Sequence, residues 1–192
     1  MTSAFVLASG SPRRQQFLSD LGFEYIADPA DIDETPLKNE KPDDYVIRVT
    51  LEKARATRKR HQGTAVMAAD TTVCVGRRIL GKPANEDEAS DMLKLMSGRR
   101  HQVLTAVCVI DAKGTEKTTL VKTAVKMKPL RDKDISAYVT KPENWQNMAG
   151  GYGIQTASGG ALVQWVNGSV SGVIGLPLVE TLNLLKGVGI HV

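Results

Sequence analysis

The chain has 192 residues, with 25 Lys or Arg against 21 Asp or Glu and a formal net charge of +4. Hydrophobic residues make up 42% and charged residues 24%, which excludes a disordered chain, since disorder needs few apolar side chains and a large net charge. No apolar run approaches the roughly 18 residues of a membrane span, and a basic n-region with an extended apolar h-region is missing, so no signal peptide is expected.

Two cysteines, Cys74 and Cys108, are too few for a disulfide framework and lack metal-site spacing, which points to a reduced, cytoplasmic protein. The length suits a single domain over residues 1–192, with or without two lobes, and a sizeable core. Aromatics are only 5% and are not interleaved with basic residues, which argues against stacking along a nucleic-acid strand. The small positive charge leaves room for a small anionic substrate.

In chain order, Phe5–Ala8 is a short apolar run expected to form a buried strand. A helix follows, with Ser11 at the N-cap, Pro12 at the first helical position and Gly22 past its end. A second strand over Glu24–Ala27 leads to a polar loop ending in Asp31-Ile32-Asp33-Glu34. A long helix from Pro42 to Arg60 carries an apolar stripe of Tyr45, Val46, Val49 and Ala54. Thr64–Ala69 and Thr72–Val75 are expected as two strands, the second turning at Gly76-Arg77-Arg78 into Ile79-Leu80. Asn85 caps a helix that runs to Met96. Val103–Asp111 and Thr115–Met127 form a second hairpin, the later strand showing Leu120, Ala124 and Met127 between polar residues. A short helix over Arg131–Val139, a glycine-rich stretch through Gly150–Gln155, an apolar segment over Ala161–Val166 and a helix over Pro177–Lys186 complete the chain. The fold class is α/β, a mixed elongated sheet flanked by helices, with lobes meeting near residues 70–80 and 145–160.

The turn Ser9-Gly10-Ser11-Pro12-Arg13-Arg14 holds the most chemistry. It delivers two hydroxyls to a helix start whose first N–H groups lack helical partners, which is either an ordinary N-cap or an anion site. Two arginines there oppose the helix dipole, a cost that a bound polyanion removes, and so the anion site is favoured. Asp31, Asp33 and Glu34 form an acidic loop of the kind usually just solvated. Asp70 follows an apolar strand, and a carboxylate there needs a partner, either a metal ion or a cap at Thr71-Thr72. Gly76 through Lys82 matches G-x-x-x-x-G-K, but residue 83 is Pro and no helix follows, so a P-loop is rejected, while Lys82 remains able to reach a phosphate. His61, His101 and His191 have no zinc-site spacing, and His61 is expected to be solvated. A G-x-S-x-G nucleophile is absent, and both cysteines are expected as buried core thiols.

Together, Leu7–Arg14, Asp33-Glu34, Glu52-Lys53-Ala54, Ala69-Asp70-Thr71, Leu80–Pro83, Ser97-Gly98-Arg99 with His101, Leu104–Val107 and Gly151–Gln155 resemble the Maf family of nucleotide pyrophosphatases. The resemblance spans residues 6 to 178 and is specific through joint occurrence. It implies hydrolysis of a nucleoside triphosphate to the monophosphate and pyrophosphate, an inosine-triphosphatase-like α/β fold of two lobes with a cleft, and a homodimer. Arg13, Thr71, Gln155 and the stretch Ser97–His101 match the dTTP/UTP branch rather than the N7-methyl-GTP branch. The segment Thr156–Gly160 departs from the Gly-x-Ala or Gly-x-Gly of many relatives.

The resemblance further implies a Mg²⁺ or Mn²⁺ ion held by Glu34 and Asp70, with Asp33 the alternative to Glu34, and Asp70 as proton acceptor. Arg13, Lys53 and Lys82, with Ser9, Ser11 and Arg14 of the turn, would hold the triphosphate, and Gln155 would meet the base edge. No stable nucleic-acid or membrane partner is expected. The rivals are a nucleotide-binding regulator of cell division without turnover, which would not need both Glu34 and Asp70, and a nucleic-acid module, which would show a steep salt dependence.

Overall fold

The computed structural model describes residues 5–192. In chain order these fold as β1 (Phe5–Leu7), α1 (Pro12–Asp20), β2 (Tyr25–Ala27), α2 (Pro42–Arg60), β3 (Val66–Val75), β4 (Arg78–Leu80), α3 (Glu86–Met96), β5 (Arg100–Ile110), β6 (Glu116–Met127), α4 (Asp132–Val139), α5 (Ala157–Gly160), β7 (Val163–Asn167), α6 (Val170–Ile174) and α7 (Leu178–Lys186). The seven strands among the described residues make one mixed sheet in the order β2-β1-β3-β5-β6-β7, with β4 paired to β3. β1 is parallel to β2 and β3, whereas β3–β4 and β6–β7 are antiparallel. The architecture is mixed α/β, as the alternation of strands and helices implies.

The chain divides into two compact units. The first comprises Met1–Asp70, Thr105–Val121 and Gly175–Val192, and the second Thr71–Leu104 and Lys122–Ile174. In the first, side-chain alternation splits the strands between two faces. Phe5, Leu7, Met67 and Ala69 pack with Leu18 of α1 and Leu185 of α7, while Val6, Ala8, Val66 and Ala68 pack with Ala54 of α2. Covering both faces explains why these strands read as near-continuous apolar runs. Leu18 and Leu185 are fully buried, and truncating either to Ala would cost about 3 kcal/mol.

The second unit has its own core, with Leu93 and Met96 of α3, Ile135 and Tyr138 of α4, Val125, and Trp145. The hairpin β3–β4 turns through Gly76-Arg77, where Gly76 takes φ +58°. Asn85 caps α3 by accepting the Glu88 N–H at 2.9 Å, and the Glu88 carboxylate accepts the Ala84 N–H at 2.8 Å.

Several expectations need correction. The two strands expected on either side of Asp70 are one ten-residue strand, β3. Asp70 therefore lies inside a strand, where its backbone continues the ladder while its side chain finds a cation. In β6 the buried positions are Thr123, Val125 and Met127, with Leu120 and Ala124 only half-buried, so the inward face is set by strict alternation to Met127. The chain crosses between units after Asp70, Leu104, Val121 and Ile174, and residues 145–160 lie within the second. The short helices α5 and α6 were not expected, because Gly-Gly and β-branched residues are poor helix formers. α5 is nucleated by the Thr156 hydroxyl, which accepts the Gly159 N–H at 3.0 Å.

Candidate active site

The buried face of α2 is Val46, Val49, Thr50, Lys53, Ala54 and Thr57, a helical spacing that places one lysine among apolar and small residues. On β3, residues 66, 68 and 70 share the face turned toward α2, so Asp70 points the same way as Val66 and Ala68. The two meet there. Lys53 Nζ donates to Asp70 Oδ1 at 2.7 Å, with each side chain about one-tenth exposed (11% and 10%). Such a short charge-assisted bond in a poorly solvated place compensates for the desolvation of both groups.

Lys53 also lies 3.0 Å from Glu34 Oε2, so two carboxylates converge on one ammonium. Asp33 turns elsewhere, accepting the Thr35 N–H at 2.9 Å. It is Glu34, rather than Asp33, that faces Lys53. The loop holding Glu34 is pinned by a residue the sequence reading overlooked. Arg48 grips Glu40 with two bonds of 2.7 and 2.9 Å, donates to Thr35 O at 3.2 Å, and stacks over Tyr45 at 5.6 Å from the ring centre. The Arg48–Glu52 spacing of one helical turn was visible, but Glu40 lies outside the helix. Burial, helped by the charges of Asp70 and Glu34, pushes the Tyr45 phenol up to about 12, which places Tyr45 in the field of the same carboxylates.

The turn before α1 is organised by Ser9. Its hydroxyl accepts the Ser11 N–H at 3.3 Å and Arg14 Nη1 at 3.0 Å, while Arg14 Nε donates to Gly175 O at 2.8 Å. Ser11 stands at the N-cap without a side-chain cap bond. Arg14 is buried, and burial lowers its pKa against the opposing pull of Asp70 and Glu34. Arg13 is half-buried, and burial lowers its pKa too. Arg14 therefore helps to build the turn as well as to charge it. With Arg13, Arg14 and Lys53 set against Glu34 and Asp70, this group of side chains keeps a small positive excess suited to a polyanion.

Thr71, Lys82 and Gln155 belong to the second unit. Lys82 and Gln155 are exposed and Thr71 is half-buried. Gly150 N–H donates to Gly81 O at 2.9 Å, tying the segment of Lys82 to the glycine-rich loop of Gln155. In that loop Gly153 is needed for close approach, since a Cβ there would stand 2.5 Å from Met148 Sδ and 2.7 Å from Gln155 Nε2.

The donor chemistry fits a hard divalent cation. Glu34 and Asp70 supply converging carboxylate oxygens, but among the described residues no group of three or more His, Cys, Asp or Glu could hold a metal unaided. Two carboxylates plus phosphate oxygens is the way Mg²⁺ is commonly held. Among the histidines, the expectation for His61 was wrong. Its Nε2 is 2.7 Å from Asp28 Oδ2, a partner 33 residues away and invisible to local reading. His101 is buried and bonded to the Tyr152 hydroxyl at 2.8 Å. Cys74 and Cys108 are buried free thiols, as expected, and no described helix is long and apolar enough to cross a membrane.

A family model for Maf-like proteins matches residues 4–188. A dTTP/UTP pyrophosphatase from Caulobacter vibrioides is 49% identical, covering 97% of this chain and 96% of that protein. One from Anaeromyxobacter dehalogenans is also 49% identical, covering 98% and 96%. Among solved structures, the Staphylococcus aureus Ham1 protein is similar at 15% identity over 65% of this chain and 71% of that one, with a TM-score of 0.45. On the family match and the full-length relatives together, this chain belongs to the Maf-like protein family.

Proposed function

We propose that the protein hydrolyses dTTP and UTP to the monophosphate and pyrophosphate, in the cytoplasm and as a homodimer. The observation that carries the reading is the convergence of Glu34 and Asp70 on Lys53 beside an arginine-bearing helix start, in a chain nearly half identical to full-length relatives of that name. Phosphoanhydride cleavage needs charge neutralisation and an oriented water more than a covalent nucleophile. Arg13 and the turn from Ser9 to Arg14 bind phosphoryl oxygens. Asp70 accepts the proton of the attacking water, and Lys53 holds that carboxylate in place. Lys82 stabilises charge on the departing pyrophosphate. Glu34 and Asp70 would hold a divalent cation, which when bound polarises the phosphate and lowers the pKa of coordinated water. Thr71 and Gln155 read the base. A Gln amide donates to O4 and accepts from N3–H of thymine or uracil, whereas cytosine presents an amino group and a bare N3, leaving groups unpaired at about 1–3 kcal/mol each.

The test is turnover of dTTP, UTP, dCTP, GTP and N7-methyl-GTP with Mg²⁺, followed by product identification. Pyrimidine monophosphate and pyrophosphate from dTTP and UTP, with dCTP poor, is the expected result. Preference for a guanine nucleotide, or nucleotide binding without product, would overturn it. Calorimetric titration of Mn²⁺ with and without a non-hydrolysable dTTP analogue tests the metal reading separately. Binding is expected only with the nucleotide, and loss of that binding in Glu34→Gln is expected as well.

A further inference from the structure

The second unit contains a buried histidine that the reaction does not use. His101 is 2% exposed. Its Nε2 meets the Tyr152 hydroxyl at 2.8 Å, and the two rings pack edge to face, with centres 5.5 Å apart and planes at 86°. Its Nδ1 is buried and has no hydrogen-bond partner. An unpaired buried nitrogen lowers stability, and an apolar ring would fill the same space without that penalty. The imidazole therefore serves something other than core packing.

What it holds is the root of a loop. Tyr152 precedes Gly153, Ile154 and Gln155, and Gln155 lies folded back against Gly153. The far side of the loop is braced by a chain of neutral bonds. Thr156 Oγ1 donates to Gly153 O at 2.9 Å, Ser158 Oγ donates to Asn144 Oδ1 at 2.7 Å, and Asn144 Nδ2 donates to Tyr138 O at 2.8 Å. One brace thus ends on α4, and the other ends on β5 through His101. A strand is the stiffer anchor, and a site group must be held to within a fraction of an ångström to discriminate.

We propose that His101 is a positioning residue for base selection, holding Gly153–Gln155 in register through the Tyr152 hydroxyl. The proposal rests on the reading that Gln155 meets the base. The ratio of kcat/KM for dTTP to that for dCTP is measured in wild type, Gln155→Ala, Tyr152→Phe, His101→Gln and the double variant His101→Phe/Tyr152→Phe, alongside thermal stability. The double variant keeps both rings and leaves neither polar group unpaired, so it is expected to stay as stable as wild type. Its dTTP:dCTP ratio is expected to fall by about three- to tenfold, the equivalent of one ordinary hydrogen bond, mainly through KM for dTTP. His101→Gln, whose amide can still reach the Tyr152 hydroxyl, is expected to keep most of the ratio. If Gln155→Ala compresses the ratio but the double variant does not, the proposal fails and the role of Gln155 stands. If Gln155→Ala leaves the ratio unchanged, both fail. Equal loss of kcat/KM on both nucleotides would mean a merely structural role and also overturns the proposal. Should the double variant not fold, Tyr152→Phe alone decides by the same ratio.

Discussion

The two units bury polarity in opposite ways. Inside the first, alongside neutral threonines such as Thr50 and Thr57, three ions are buried, Lys53 and Asp70 paired with each other beneath the exposed Glu34, and Arg14 on Ser9 and Gly175. Inside the second the buried polar groups are neutral, with His101 on Tyr152, Tyr138 and Asn144 on backbone, and Trp145 Nε1 on Val139 O at 2.8 Å. Ions in a poorly solvated place exert strong fields and suit chemistry on a charged phosphate. Neutral bonds carry direction without net charge and suit recognition of an uncharged base. The contrast teaches that the buried ions of this chain are concentrated in one unit, while the other buries only neutral polar groups among its described residues.

The most forceful way to break this contrast is to neutralise one ion at constant shape. Asp70→Asn is expected to lower kcat by roughly a thousandfold, within the range for loss of a general base, while circular dichroism shows a folded protein. Activity within a few-fold of wild type would remove Asp70 from the chemistry. Removing the central cation should instead reach stability. Lys53→Ala leaves Asp70 and Glu34 facing each other with their shared ammonium gone, a loss of about 3 kcal/mol in urea unfolding. A loss below about 0.5 kcal/mol would mean that solvent already screens the pair.

Acid sharpens the comparison from the neutral side. Burial depresses the His101 pKa to about 4 in the folded protein, below the ordinary value near 6.5. As pH falls the unfolded chain takes up this proton first. The contribution is therefore fully present above about pH 6.5 and is lost between about pH 6.5 and 4, by up to about 3 kcal/mol. In the first unit, hydrogen bonds hold Asp28, Asp33 and Glu40 below the usual carboxylate range, so their losses come at lower pH. Unfolding free energies measured from pH 7 to 4 should show a slope in wild type that is absent in His101→Phe. The smallest effect belongs to Arg48, which braces the acidic loop from its surface. Arg48→Ala should lower stability by about 1 kcal/mol and raise the Mn²⁺ concentration needed for half-maximal activity, with KM for dTTP at saturating metal little changed.

Much of this was legible because it is local. Pro12 and Gly22 mark the limits of α1, and Gly22 does take φ +82° just past it. Asn85 caps α3 as its position suggests, and the Gly76-Lys82 stretch is a hairpin with no phosphate loop. The stripe on α2 was seen as apolar, yet its spacing also placed Lys53 on the buried face, a signal present and unread. The break expected at Asp70 was wrong for a physical reason. A carboxylate followed by two threonines is a poor strand interior on its own, and the Lys53 ammonium from α2 compensates for it. His61 with Asp28, Arg48 with Glu40 and His101 with Tyr152 are partnerships across 33, 8 and 51 residues, which no spacing within one element can announce. The stretch over Gly150–Gln155 was legible only as glycine-rich, and the reason for Gly153, that Met148 and Gln155 leave no room for a Cβ, is a tertiary one.

The continuity of β3 has a consequence for how this gene can change. Neighbouring residues on a strand face opposite sides, so Asp70 and Thr71 differ in direction by their count alone from Val66, which is paired in register with Val6. Loss of one residue between Val66 and Ala69 would present Thr71 to Lys53 in place of the carboxylate and turn every apolar side chain of that stretch to the wrong layer. Point substitutions at Met67 or Ala68 can be absorbed by repacking, but a single-codon deletion there cannot. Length between Val66 and Asp70 is thus held more tightly than residue identity, and deletion libraries should find that stretch empty even where substitution libraries do not.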